Sequence, residues 1–336
     1  MHSHLIMTFK QVEGVPQEMT TNSGFEKNNA VNVREMIADK KRKRNFSALT
    51  EKLIPILLLI IASISILTTA GIIYTLLSEA FEFFQRIPIW EFLSGTVLKP
   101  LSQEPEFGLL PLLNGTIISS VIAMLVAGPI GIMSAVYLSE YASGKVRRTL
   151  KPLLEILAGI PTIVYGFFAF TFVTPVIRAV FPAVEATNIL SPGIVMGVMI
   201  IPMIASLSED AMTSVPNSMR EGALALGSTK LETTFKVVIP AALSGIISSF
   251  VLGISRAIGE TMIVTIASGS SKNFTFDITQ SMQTMTAYIV EVSGGEAPAG
   301  STIYYSLYAV ALTLFLFTLI MNLLAKYISR KFREEY

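Results

Sequence analysis

Residues 220–260 read REGALALGSTKLETTFKVVIPAALSGIISSFVLGISRAIGE, from Arg220 to Glu260. The first half is punctuated for two short helices. Ser218 stands three residues before Glu221, and Thr229 three before Glu232, which is the spacing of a capping box. Gly227 lies between them and can close the first helix, because glycine tolerates a positive φ. The first helix presents Ala223, Leu224 and Leu226, and the second presents Leu231, Phe235 and Val238. Apolar side chains on a loop between membrane spans are costly unless they pack on the bundle above or on a partner. The pattern alone leaves both open. The second half of the stretch is an apolar span that carries Arg256 and Glu260.

Working outward, the chain has 336 residues, of which 51% are hydrophobic and 15% charged. Soluble domains carry about 25% charged residues, so the composition indicates an all-α integral membrane protein. A hydrocarbon core of roughly 30 Å takes about 20 apolar residues per helix. Six segments qualify: residues 53–77, 109–138, 150–172, 189–207, 241–268 and 301–328. Each is expected to be helical, since lipid offers no partner for a free backbone group. Seventeen Lys and Arg flank these segments on one side and four on the other. That bias places both termini in the cytoplasm and the protein in the cell (inner) membrane.

Residues 1–48 are expected to form a cytoplasmic tail, disordered at its start, and Met19 or Met36 offer alternative starts. The tail lacks the pattern of a signal peptide. Its Lys40–Arg44 run reads as a topology signal and an anionic-lipid contact rather than a nucleic-acid site. Residues 49–336 form the expected transmembrane domain. Within it, residues 79–108 read as an outer interfacial segment holding the only tryptophan, Trp90, and residues 215–238 as the cytoplasmic loop. Residues 270–300 read as a polar outer segment in contact with something external. Pro161 and Gly166 are expected to kink the third span, and Pro129 with Gly128 and Gly131 the second. Glu155 reads as a snorkelling or interhelical contact.

The absence of cysteine excludes disulfides and thiol chemistry. The only histidines are His2 and His4, so the body holds neither a histidine base nor a histidine-ligated metal. No G-x-x-x-x-G-K-[ST] loop is present; the nearest approach, Gly144-Lys145, is followed by Val146. Any ATP must be hydrolysed by another subunit, and no cofactor is implied.

Arg256 falls about 15 residues into the fifth segment, about 22 Å along a helix. An arginine at such depth costs at least about 2.5–3.5 kcal/mol. Glu260 follows one turn later, in the order that helps an isolated helix least. Either the pair locks spans together, or Arg256 offers a planar fork to a passing oxyanion while Glu260 tunes it or accepts its proton. Ser248, Ser249, Ser255, Thr261 and Thr265 on the same span fit a polar path and helix–helix hydrogen bonds equally well.

Two sets of residues carry a resemblance. Glu221-x-Ala223-xxx-Gly227, nine residues, then Val237-x-Ile239-Pro240 resembles the EAA loop of ABC-importer permeases, with Gly222 in place of the usual first alanine. Phe107-Gly108, Pro111–Thr116, Leu138–Tyr141, Pro161–Gly166, Ser206–Asp210 and Ser255–Met262 resemble phosphate-transport permeases of the PstC type, over roughly residues 50–336. The Gly-Glu-Thr-Met ending and the long first outer segment favour that type over the partner permease PstA, although the two share an Arg-Ala-x-Gly-Glu core. The resemblance implies a six-helix, MetI-like permease fold with a cytoplasmic coupling helix. It assigns phosphate translocation to Arg256 and Glu260, and ATPase coupling to Glu221, Ala223, Gly227 and Pro240. It implies as partners a PstA-like second permease, two PstB-like ATPase subunits, an external PstS-like phosphate-binding protein and membrane lipid. Molybdate or sulfate remains an alternative cargo. An ion-gradient-driven carrier is the other alternative, against which the ATPase-docking loop argues; a sensory role could coexist with transport.

Overall fold

The computed structural model describes residues 33–331. The start of the expected tail lies outside the described residues, as do the side chains of the Lys40–Arg44 run. Contacts divide the chain into two units, Met1–Ala70 and Gly71–Tyr336. Helix α1 (Val33–Arg86) begins in the first. Its apolar side chains from Leu53 to Leu67 are exposed there, as a lipid-facing helix requires.

The second unit opens with the last turns of α1, followed by α2 (Ile89–Ser94) and an antiparallel ribbon of β1 (Leu98–Lys99) and β2 (Glu106–Phe107). Next come α3 (Leu110–Val136), continued by a π turn at Tyr137–Tyr141, and α4 (Gly144–Gly159). Helices α5 (Thr162–Phe168) and α6 (Thr174–Val180) are joined by a π turn at Ala169–Val173, and α7 is Leu190–Thr213. The hairpin helices are α8 (Asn217–Ala225) and α9 (Lys230–Thr233). A π turn, Thr234–Val238, leads into α10 (Ile239–Ala241). The last elements are α11 (Leu243–Ile258), α12 (Met262–Ala267), α13 (Met285–Glu291) and α14 (Thr302–Lys331).

The centre of this unit is α3 packed along α7. Gly193 and Gly197, four apart, let α3 approach closely: a Cβ on Gly197 would stand 2.7 Å from Val126 and 2.8 Å from the Ala123 carbonyl. Small residues at this spacing are how helices pack where lipid supplies no hydrophobic drive. Ala123, Ala127, Met196, Ile200, Ile204, Ala257 and Ile263 complete the buried centre. At one end, Phe83 meets Phe92 and Phe107 edge-on, with centroids 5.4 and 5.5 Å apart, a favoured aromatic geometry. This seals the end carrying α2 and the ribbon. At the other end, Ala135, Met212, Val215, Val238 and Ile246 form a smaller core above the hairpin.

Two expected spans are corrected. The third is not residues 150–172. The chain breaks at Ile160, which is extended because a residue before proline is driven out of the helical region. The apolar helix is therefore Thr162–Val180, and α4 is a separate amphipathic helix. Glu155 is exposed on that helix. The fifth span is not one helix over 241–268. It is bent by 70° between Lys230–Ala241 and Leu243–Ile258, and broken again before α12. Pro240 has no amide hydrogen to give the preceding turn. Among the described residues five helices are long and apolar enough to cross a bilayer, or six if the bent pair is counted as one span. Pro129, expected to kink the second span, lies within α3. Gly166 serves close packing, since a Cβ there would come within 2.9 Å of Ile266 and 3.1 Å of the Met262 carbonyl.

Candidate functional site: a charged helix break and a clamped hairpin

The first site is the break between α11 and α12. The helix ends at Ile258, Gly259 and Glu260 step out of it, and α12 begins at Met262. The Glu260 carboxylate fills the gap. Its Oε2 accepts from Arg256 Nη1 at 2.7 Å, and its Oε1 accepts from the amides of Met262 and Ile263 at 3.1 and 3.3 Å. The Thr286 hydroxyl donates to the Glu260 carbonyl at 2.7 Å. The two charges are unequal in access: the Glu260 side chain is 2% exposed and that of Arg256 38%. The arginine also sends Nη2 to the Met199 sulfur at 3.7 Å.

This geometry changes the reading of the pair. In one continuous helix the arginine-first order is the poorer one. Here the helix stops between the two residues. Arg256 sits in the last turn of α11, where unsatisfied carbonyls favour a cation, and Glu260 faces the first amides of α12, which favour an anion. The ion pair lies within one segment and does not bolt one span to another. A guanidinium carries five N–H donors. Two of Arg256's are engaged among the described residues, and the exposed remainder can bind a planar array of oxygens.

The hydroxyls of α11 serve packing. Ser248 pairs with Ser329 at 2.8 Å, Ser249 with Ser208 at 2.8 Å, and Ser255 donates to Asn322 at 2.6 Å. Thr261 and Thr265 turn back on their own backbone. The polar segment 270–300 holds a further surprise. Residues Met282 to Tyr288 are buried against the bundle and reach the break through Thr286, while Lys272 pairs with Glu291 at 2.8 Å. A polar run reads as solvated, and nothing in it announces that its hydroxyls will pair with buried backbone.

The second site is the hairpin. The Thr229–Glu232 capping box forms, with Glu232 N donating to the Thr229 hydroxyl at 3.2 Å and the Glu232 carboxylate accepting from Thr229 N at 3.0 Å. The Ser218–Glu221 box does not form. Helix α8 starts instead from Pro216, which takes the N-cap position without a side-chain acceptor, and Met219 N donates to its carbonyl at 3.2 Å. Gly227 has φ +88°, Ser228 N donates to the Ala223 carbonyl at 3.1 Å and Gly227 N to that of Leu224 at 3.0 Å. These two bonds are a Schellman stop.

Val238 is fully buried, whereas Leu224, Leu226, Leu231 and Phe235 are exposed by 48, 89, 59 and 57%. The hairpin therefore does not spend its apolar face on its own bundle. Glu221 and Gly227 of the hairpin are exposed and Ala223 half-buried, and Pro240 in α10 is exposed. Arg220 fixes the hairpin in place. It donates to Glu140 at 3.0 Å and to the carbonyls of Met212 and Val215 at 2.7 and 2.5 Å. Beside it, the fully buried Glu209 of α7 accepts from Arg147 and from Lys151, the latter at 2.8 Å. Neither clamp was singled out from the sequence, because the paired residues stand 58–80 positions apart.

An apolar bundle with a charged break in one span, and a rigidly held hairpin that turns an apolar face outward, is an architecture suited to a membrane permease. The fold agrees with this. A bacterial alginate ABC transporter crystallised with an alginate pentasaccharide-bound periplasmic protein matches over 87% of this chain and 96% of its own, with TM-score 0.58 and 15% identity. The MetNI methionine ABC transporter in inward-facing form matches over 68% and 95%, with TM-score 0.50 and 17% identity. Residues 127–334 match the binding-protein-dependent transport system inner membrane component family, and the chain belongs to that family. Its relatives include the probable ABC transporter permease protein YqgH of Bacillus subtilis, 34% identical over 72% of this chain and 78% of that protein. They also include the phosphate transport system permease protein PstC of Mesorhizobium japonicum, 33% identical over 71% and 77%. The probable PstC of Methanocaldococcus jannaschii is 30% identical over 76% and 87%.

Proposed function

We propose that this chain is the channel-forming permease subunit of an ATP-driven inorganic phosphate importer. Phosphate is the cargo that the names of the PstC relatives point to, and the exposed guanidinium of Arg256 suits it. Its fork matches two phosphate oxygens and stays charged at every physiological pH. Buried Glu260, fixed by two backbone amides, offsets that charge so that the anion is held weakly enough to leave.

The observation that carries the coupling half is the hairpin's exposed apolar face on an anchored base. ATP-driven closure of two ATPase subunits bears on Glu221, Ala223, Gly227 and Pro240. Arg220 passes the displacement to α7 and to the turn after α3. A second permease of the PstA type completes the pore, and an external phosphate-binding protein delivers the anion at the end carrying α2. The hairpin end is then cytoplasmic, along with both termini. The chain itself hydrolyses nothing.

The test is phosphate uptake by the assembled complex carrying Arg256→Ala or Glu260→Gln. Uptake falls at least about tenfold if a charge-assisted contact of about 1.4 kcal/mol or more is lost from the transfer step. Unchanged uptake in a complex that still hydrolyses ATP removes both residues from the path.

A further inference from the structure

A cavity of about 510 Å³ lies between the hairpin and the bundle. Its wall draws on separate elements: Glu140 from the turn after α3, Arg147 from α4, Asn217 and Arg220 from α8, and Lys230 and Thr233 from α9. The electrostatic balance is positive. Arg147, Arg220 and Lys230 face Glu140, and counting the Glu209 that holds Arg147 still leaves one positive charge. Not all of this charge is consumed internally. Lys230 Nζ rests 4.9 Å from the centroid of the Tyr141 ring, and the Arg147 side chain is 34% exposed.

We infer that this cavity binds a phosphate-type oxyanion, through Lys230 and the exposed part of Arg147, and that the bound anion pins the coupling hairpin to the bundle. The site is distinct from Arg256, since its residues come from the hairpin and the elements it leans on. Because it lies at the end assigned above to the cytoplasm, a product anion there restrains the element on which the ATPases push. Free phosphate and the phosphate of a lipid headgroup offer the same chemistry.

The experiment uses the complex purified from membranes with its co-purifying subunits, in the Arg256→Ala background so that the transport site is silent. Radiolabelled inorganic phosphate is titrated by equilibrium dialysis, and amide exchange over residues 217–238 is followed with and without it. The Arg256→Ala complex binds phosphate, and exchange slows. Lys230→Gln weakens binding by about tenfold and abolishes the slowing, as loss of one charge-assisted hydrogen bond requires. Lys230→Arg restores it. If a lipid headgroup is the source, phospholipid phosphorus remains with the Arg256→Ala complex through purification and is lost with Lys230→Gln.

Absence of both phosphate binding and retained phospholipid in the Arg256→Ala complex overturns the proposal. So does undiminished binding in Lys230→Gln. Binding by the chain alone that disappears once the ATPases are attached also overturns it, because a partner side chain then fills the cavity. These outcomes are separate from phosphate uptake, which tests Arg256 in the otherwise native complex.

Discussion

Arg256 and Glu260 face opposite environments, and that sets what each substitution does. Arg256→Ala leaves a carboxylate that is 2% exposed with only two backbone amides to hold it. A buried charge stripped of its partner costs about 3 kcal/mol. Glu260→Gln keeps an oxygen for those amides and frees a guanidinium that already reaches solvent. Thermal unfolding of the purified complex is therefore expected to fall further for Arg256→Ala than for Glu260→Gln, and the reverse order would contradict the geometry. The two hairpin glycines also separate. Gly222 has a helical backbone and open space where a Cβ would go, so Gly222→Ala stabilises α8 by about 1 kcal/mol. Gly227, at φ +88°, cannot take a Cβ without strain, and Gly227→Ala costs about 1–2 kcal/mol. Amide exchange across residues 217–228 reads both, as slower opening in the first variant and faster in the second.

Among the elements, the hairpin owes its rigidity to a few local bonds and one long-range clamp. Thr229→Ala removes the surviving cap and costs about 1 kcal/mol, with faster exchange confined to α9. Glu140→Ala acts differently. Arg220 keeps the Met212 and Val215 carbonyls but loses its only carboxylate among the described residues. The expected loss is about 2 kcal/mol. More tellingly, transport-coupled ATP hydrolysis falls while ATPase attachment survives, because the docking face is untouched. A complex in which Glu140→Ala leaves coupling unaltered would show that Arg220 transmits nothing.

For the molecule as a whole, orientation and energy source are testable without a background signal, because the chain contains no cysteine. A cysteine at Leu226 is expected to resist a membrane-impermeant maleimide in intact cells and react after permeabilisation. One at Ser102, beside the ribbon, is expected to react at once. Uptake stops on ATP depletion and survives an uncoupler; the opposite pattern identifies an ion-gradient carrier.

Much of this was legible in the chain. Apolar length separated the helices, Thr229 and Glu232 wrote their own capping box, and Gly227 marked a turn, since each depends on residues within four positions of one another. The Lys and Arg bias proposes an orientation, which the maleimide reaction decides; it counts residues and needs no contacts. Apolar content hid breaks that Pro161 and Pro240 mark locally, so span three was drawn too early in the chain and span five too straight. Tertiary structure alone decided the rest. The partners of Glu209, Arg220 and Glu260's carbonyl are remote in sequence, and only packing brings them together. Arg256 and Glu260 show both sides: their spacing foretold the ion pair, but only the folded break, with a carbonyl end on one side and an amide end on the other, fixed which charge is buried and which is open.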